Sequence, residues 1–205
     1  MTEGVTLPVG GSVELLHARL DPDPAWAEAH EELLSPSERY LARRRVTEEL
    51  RRRAIVSRVL LRSALGSALG RAPAELALGI GPQGKPFLVD PTDAARLDFN
   101  LSHSGEHWLL ALGAVGPLGV DLETLRDETD WDALVERYFS AAERATFATL
   151  PAPRRKEAFF RIWTAKEAFL KARGSGLATP LAEFDVEADP DRPLRLLDAR
   201  IDGVR

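Results

Sequence analysis

The alternation of apolar and polar residues in "SVELLHARL" (12–20) predicts a strand. "DPAWAEAHEELL" changes to helical spacing, with Asp23 as N-cap and Pro24 in the first turn. "SPSE" (35–38) opens a second helix: Ser35 caps, Pro36 follows and Glu38 completes a capping box. Helical spacing runs on to Leu65, with a break near Thr47, and Gly66 or Gly70 ends it. Residues 77–90 read as strand, turn, strand, and 97–113 as a hairpin turning at Gly105. "LGVDLE" (118–123) reads as a strand. Helices follow near 131–139, 141–149 and about 153–173, the last closed by Gly174, and "EFDVE" and "LRLLDARI" are late strands. A strand–helices–strands order thus occurs twice. It predicts an α+β chain of two halves of similar plan, 1–116 and 117–205, joined near Gly116-Pro117, with no residue-level repeat to reinforce it.

The last long helix breaks its own pattern. Phe160, Trp163 and Leu170 form an apolar stripe, yet Glu167 falls inside it, Lys171 lies one turn on and Lys166 borders it. As a solvated i,i+4 pair, Glu167 and Lys171 would contribute roughly 0.2–0.5 kcal/mol. A carboxylate beside buried aromatics instead needs a compensating positive charge.

The 205 residues are 44% hydrophobic, enough for a core, and contain no apolar run of membrane-spanning length. The start "MTEGVTLPVGG" lacks the basic and apolar regions of a signal peptide, and cysteine is absent, so a cytoplasmic protein without disulfide or thiolate chemistry is expected. The net charge of −5 argues against a nucleic-acid track. Residues 37–62 nevertheless hold nine arginines against three glutamates, a local basic stretch suited to a small phosphorylated ligand.

Asp121 and Glu123 are two apart and share one side of the predicted strand. Either they mark an edge strand entering the solvated loop "TLRDETD", or, with Glu167, they make an all-oxygen site for Mg²⁺ or Mn²⁺. "NLSHSG" (100–105) is either a set of turn formers or a phosphate cradle containing Ser102 and His103. "GPQGKP" (81–86) is a turn that holds Lys85 out and is not a P-loop. Glu143 completes the capping box "SAAE". Trp131, Leu134, Tyr138 and Phe139 at helical spacing, with "RRK" (154–156) near in sequence, are either a partner surface or core.

"GKP" (84–86), "FNLSHSG" (99–105), "GVDLE" (119–123), "FSAAE" (139–143) and "FFRIWTAKEAFLKARGSGL" (159–177), in this order, resemble the 4′-phosphopantetheinyl transferases of the Sfp type. The basic segment "SPSERYLARRR…RVLLRS" (35–63) is similar to that family's as well, and the likeness runs from about residue 12 to 187. The resemblance implies a pseudo-two-fold pair of α+β halves with the active site between them. The first half would bind the nucleotide of coenzyme A, and the second would hold the metal and meet the carrier protein. It implies transfer of phosphopantetheine from coenzyme A to a serine of an acyl, polyketide or peptidyl carrier protein, by a monomer without membrane or nucleic-acid partner. Asp121, Glu123 and Glu167 would hold Mg²⁺, Lys171 would contact the phosphates, and Lys85, Ser102 and His103 would contact the nucleotide. Lys85, Ser102 and His103 would also contact its 3′-phosphate, for which Arg44 and Arg53 are further candidates. Glu167 is the first choice of base for the serine proton and Glu143 the second.

The chain departs from the family at Glu38 and Leu41, where some relatives place lysines, and at its end, "ARIDGVR", where a further apolar strand is expected. Two rival readings are a non-catalytic coenzyme A or carrier-protein module that keeps the fold, and an RNA-binding protein using the arginine helix. The first would be favoured by loss of a metal carboxylate, and none is lost. The second lacks the aromatic pattern of RNA-binding folds.

Overall fold

The structure is a computed structural model that describes residues 11–21, 23–125, 131–174 and 179–199. Most of "TLRDETD", the "SGL" that ends the 159–177 motif and the end of "LRLLDARI" therefore lie outside the described residues. The fold is α+β, with small antiparallel sheets. It divides into two compact units, residues 1–118 and 119–205.

In the first unit, strand β1 (Val13–Arg19) pairs with β5 (His107–Gly113), which pairs with β4 (Asp98–Ser104), all antiparallel. Leu110 faces Leu16 on one side and Leu101 on the other. Helix α1 (Pro24–His30) is capped by Asp23 and α2 (Pro36–Arg43) by the Ser35/Glu38 capping box. The break near Thr47 is real: Thr47 caps α3 (Glu48–Leu69), which ends on Gly70 at φ 69°. Leu61, Leu65 and Ala68 of α3 pack on Phe99, Trp108, Leu110 and Leu112 of the sheet. The Trp108 indole also donates to the Ser57 hydroxyl. The hairpin β2 (Leu78–Ile80) and β3 (Pro86–Leu88) follows. Helix α4 (Pro91–Arg96) is an addition to the predicted elements, capped by the Asp90 side chain.

In the second unit, helices α5 (Trp131–Tyr138), α6 (Ala141–Thr149) and α7 (Ala152–Arg173) are followed by strands β6 (Phe184–Val186) and β7 (Leu196–Ala199). Gly174 closes α7 in the left-handed region, as Gly70 closes α3, a conformation that glycine adopts without a Cβ penalty. Phe139, Phe147, Phe159, Ile162 and Phe184 form the core, and Trp131, Leu134 and Tyr138 pack against it, so these aromatics serve the interior. Arg154 is engaged by Asp191 and Glu157, and Arg155 donates to the carbonyls of Leu150 and Ala148. "LGVDLE", predicted as a strand, runs as irregular chain in the described residues. No helix among the described residues is long and apolar enough to cross a membrane.

Each unit contains a buried polar hub of its own that the sequence pattern did not disclose. In each, the glutamate of a capping box reaches a basic residue buried on a 22-residue helix. Arg62 of α3 donates through Nε to Glu38 Oε2 at 2.8 Å, and through its Nη to the carbonyls of Pro73 and Leu76. Lys166 of α7 contacts Glu143 Oε1 at 2.9 Å and donates to the carbonyls of Leu181 and Phe184 at 2.6 Å each. Each cation thus binds together the helix, the capping box and the segment leading to the next strand.

Candidate active site

In the second unit, Gly119 brings "GVDLE" onto α7. A Cβ at Gly119 would overlap the carbonyl oxygen of Ala168 and the amide nitrogen of Ala172, and would lie 2.9 Å from the Ala168 carbonyl carbon. Only hydrogen fits at this approach, and it falls on the helical turn that carries Glu167 and Lys171. Two residues on, Asp121 meets that turn: Lys171 Nζ donates to Asp121 Oδ1 at 2.6 Å. The Asp121 side chain is 6% exposed and that of Lys171 31%.

Glu167 lies beside this pair. Burial raises its carboxyl pKa above the ordinary value, and the charge of Asp121 adds to the rise; Lys171 opposes it, and Glu123 contributes further. The three predicted carboxylates therefore share one electrostatic neighbourhood, with Lys171 as the cation in it. This answers the anomaly in the apolar stripe. Glu167 stays half-buried beside the carboxylates of "GVDLE", while Lys166, one residue back, is fully buried in the hub.

Among the described residues, no three carboxylate or imidazole groups converge as a ready-made metal cage. The donor set is nevertheless all oxygen and anionic. That chemistry fits Mg²⁺, which takes one or two carboxylates directly and completes its shell with water and substrate phosphate. The residues present are therefore suited to hold the ion as a partial set.

Glu143 is 1% exposed. Its Oε1 accepts from Lys166 and from the Val186 amide, and its Oε2 accepts from the Ser140 amide. Both oxygens are thus committed inside the hub.

The first unit contains a cavity of about 570 Å³, with Arg44, Arg45, Arg53, Arg58 and His103 in its lining. Three of the predicted nucleotide residues, Arg44, Arg53 and His103, are brought together there. Arg53 pairs with Glu49 at 2.6 Å and donates to the Gly105 carbonyl, and Arg44 donates to the Tyr40 hydroxyl. Ser102 is buried on β4, and Lys85 donates to the Leu118 carbonyl at 3.0 Å; neither is among the lining residues.

Arg58 is the residue the sequence reading missed. It is half-buried and makes no hydrogen bond or ion pair among the described residues. Burial lowers its pKa, Glu38 opposes that, and Arg62 and Arg45 lower it further. Glu38 also lines the cavity, and its Oε1 is buried without a hydrogen-bond partner among the described residues. No sequence signal singles it out: Arg58 stands in a run of arginines, and its place one turn before Arg62 becomes distinctive only once Arg62 is seen to be buried.

Residues 117–203 match the family described as the 4′-phosphopantetheinyl transferase superfamily, and residues 21–114 match 4′-phosphopantetheinyl transferase, N-terminal. The transferase HetI of Nostoc sp. is 39% identical over 163 residues, which cover 80% of this chain and 68% of that protein. The chain belongs to the 4′-phosphopantetheinyl transferase superfamily. Other members it matches are the transferase Sfp of Bacillus subtilis, 29% identical over 77% of this chain and 68% of that one, and AcpT of Escherichia coli O157:H7, 42% identical over 51% and 52%. The chain thus spans about two thirds of the length of the Nostoc and Bacillus relatives. Family membership agrees with the motifs that the fold brings onto α7.

Proposed function

We propose that the chain transfers 4′-phosphopantetheine from coenzyme A to a serine of an apo acyl, polyketide or peptidyl carrier protein and releases 3′,5′-ADP. The observation that carries this reading is the neighbourhood of Asp121, Glu123, Glu167 and Lys171, formed where Gly119 meets α7. The arginine-lined cavity supports it as a place for the nucleotide end of the substrate.

In this proposal Asp121, Glu123 and Glu167 hold Mg²⁺, with Mn²⁺ as a substitute. When bound, the ion supplies positive charge to the pyrophosphate and the leaving group. Glu167 takes the serine proton. The serine oxygen forms its bond to the phosphorus that carries pantetheine. The bond from that phosphorus to the ADP oxygen breaks, and ADP leaves with the electron pair. Lys171 offsets charge on the phosphates as this happens. Glu143, with both oxygens engaged, fits the part of holding α6, α7 and β6 together better than that of a base.

Arg44, Arg53 and His103 line the nucleotide site, with Lys85 and Ser102 nearby in the same unit. Arg58 joins them as the strongest candidate for the 3′-phosphate, because a half-buried guanidinium without an acceptor is stabilised by an anion. The proposal assigns the nucleotide end of coenzyme A to the first unit and the pyrophosphate to the second, in a cytoplasmic monomer.

The test is mass spectrometry of several apo carrier proteins incubated with the protein, coenzyme A and Mg²⁺. The expected result is a gain of one phosphopantetheine at serine. Coenzyme A binding without transfer to any carrier would refute the enzymatic reading and identify a binding module.

A further inference from the structure

We infer that Lys171 is a resident cation of the carboxylate group and competes with the divalent ion for Asp121, so that metal binding and the release of Lys171 are one exchange. The inference takes its metal and its anionic ligand from the transferase reading above; its own content is the rivalry at Asp121.

The geometry supports it in three ways. First, Lys171 Nζ lies 2.6 Å from Asp121 Oδ1, a direct contact with the carboxylate that the metal would share. The Asp121 carboxylate is almost fully buried, so that contact is only weakly screened by water. Second, carboxylates sharing a partly buried site repel one another unless a cation lies among them. Of the charged groups that act on Glu167 among the described residues, Asp121 and Glu123 are anionic and Lys171 is cationic. Third, Lys171 can leave without disturbing the fold. Its side chain is about one third exposed, and a four-carbon stem lets the ammonium swing while α7 stays fixed by Lys166 in the hub.

An ammonium and a divalent cation sharing one carboxylate repel each other, so Asp121 cannot serve both at full strength. Lys171 then moves to the nearest anion, and the phosphates of a bound nucleotide supply one. The exchange is reciprocal by thermodynamic linkage. Metal weakens the Lys171–Asp121 pair by the factor by which the pair weakens metal, and a phosphate ligand that draws Lys171 away strengthens metal binding.

The experiment is calorimetric titration of Mn²⁺ into the whole protein without coenzyme A, for wild type, Lys171→Met and Lys171→Arg, with folding followed by circular dichroism. Lys171→Met is expected to bind Mn²⁺ more tightly, by a factor within the roughly 5–150-fold range of such couplings. Lys171→Arg should stay near wild type. Coenzyme A should improve Mn²⁺ affinity in wild type more than in Lys171→Met. If Lys171→Met does not fold, Lys171→Gln carries the same expectation. A folded variant with unchanged or weaker Mn²⁺ affinity would overturn the inference, since Lys171 would then hold Asp121 in place and not occupy it. Absence of Mn²⁺ binding in both wild type and the uncharged variant would also overturn it, together with the metal role of the carboxylates. Mn²⁺ binding that Asp121→Asn abolishes and Lys171→Met leaves unchanged would sink the exchange alone.

Discussion

Gly119→Ala changes one hydrogen to a methyl group at the contact that assembles the site. The new Cβ would overlap backbone atoms of Ala168 and Ala172, not the end of a flexible side chain, so neither side can turn out of the way. Either the chain at 119–123 lifts from α7 or the helix bends. Overpacking of this kind costs about 1–3 kcal/mol. Each kcal/mol lowers the midpoint by about 2–4 °C for a chain of this size. The chemistry should suffer more than the stability. The Lys171–Asp121 contact is 2.6 Å long and lies two residues from the overlap, so even a small displacement of the segment separates them. A misplacement of about 1 Å can lower turnover by about 100-fold. Two assays separate the effects: thermal unfolding for the first, carrier-protein loading and Mn²⁺ titration for the second. A Gly119→Ala protein with the stability, Mn²⁺ affinity and turnover of wild type would refute the reasoning, because the approach of "GVDLE" to α7 would then have no part in building the site.

Breaking the hub of the second unit from one side, by Lys166→Met, should lower unfolding free energy by about 3–5 kcal/mol in urea denaturation, since Glu143 is left charged and buried. Glu143→Gln with Lys166→Met should recover much of that loss and keep carrier loading, whereas a folded, inactive double variant would restore Glu143 as a base. Asp121→Ala should remove Mg²⁺-dependent turnover while circular dichroism stays unchanged, and full activity in that variant would place the metal elsewhere. Coenzyme A affinity should fall as salt rises from low to physiological strength, because the cavity arginines are partly exposed and charges in water are screened over about 8–10 Å; a salt-independent affinity would contradict a phosphate-led binding mode.

Much of the fold was legible because its boundaries are set locally. Ser35, Thr47, Asp23 and Ser140 cap helices with their own side chains, and Gly70 and Gly174 end them, so the signals lie within a few residues of the feature. The failures share the opposite cause. "LGVDLE" alternates like a strand, but its course is set by the approach of Gly119 to a helix some 50 residues later in the chain, a contact that period-2 patterning cannot register. Helix α4 is short, and its cap, Asp90, sits in a turn-rich stretch that hides it. Of the site, Asp121, Glu123, Glu167 and Lys171 were legible as charges that violate the apolar pattern of α7 or share a face. Arg58 was not, because it stood in a run of arginines where no single one is distinguished by sequence.

The hubs explain what distinguishes Arg58. One turn before the buried cation, the second unit has Ile162, fully buried in the core, and the first has Arg58, half-buried at the cavity. The same local plan is therefore packed solid in one unit and left open in the other. Among the described residues, this open, cationic version leaves a guanidinium without an acceptor and Glu38 Oε1 without a donor, and such local violations of packing rules are expected where a ligand binds. Arg58→Ile removes the violation. The apolar side chain can cover part of the cavity wall at about 25 cal/mol per Å² of apolar surface removed from water, so the variant should unfold at a temperature equal to or above that of wild type. It should also bind coenzyme A at least about tenfold more weakly, the loss expected for hydrogen bonds to a charged group. Its preference for coenzyme A over 3′-dephospho-coenzyme A should shrink toward one. A variant that loses stability and keeps that preference would show Arg58 to be a structural residue of α3, and the anion site would then belong to Arg44 and Arg53.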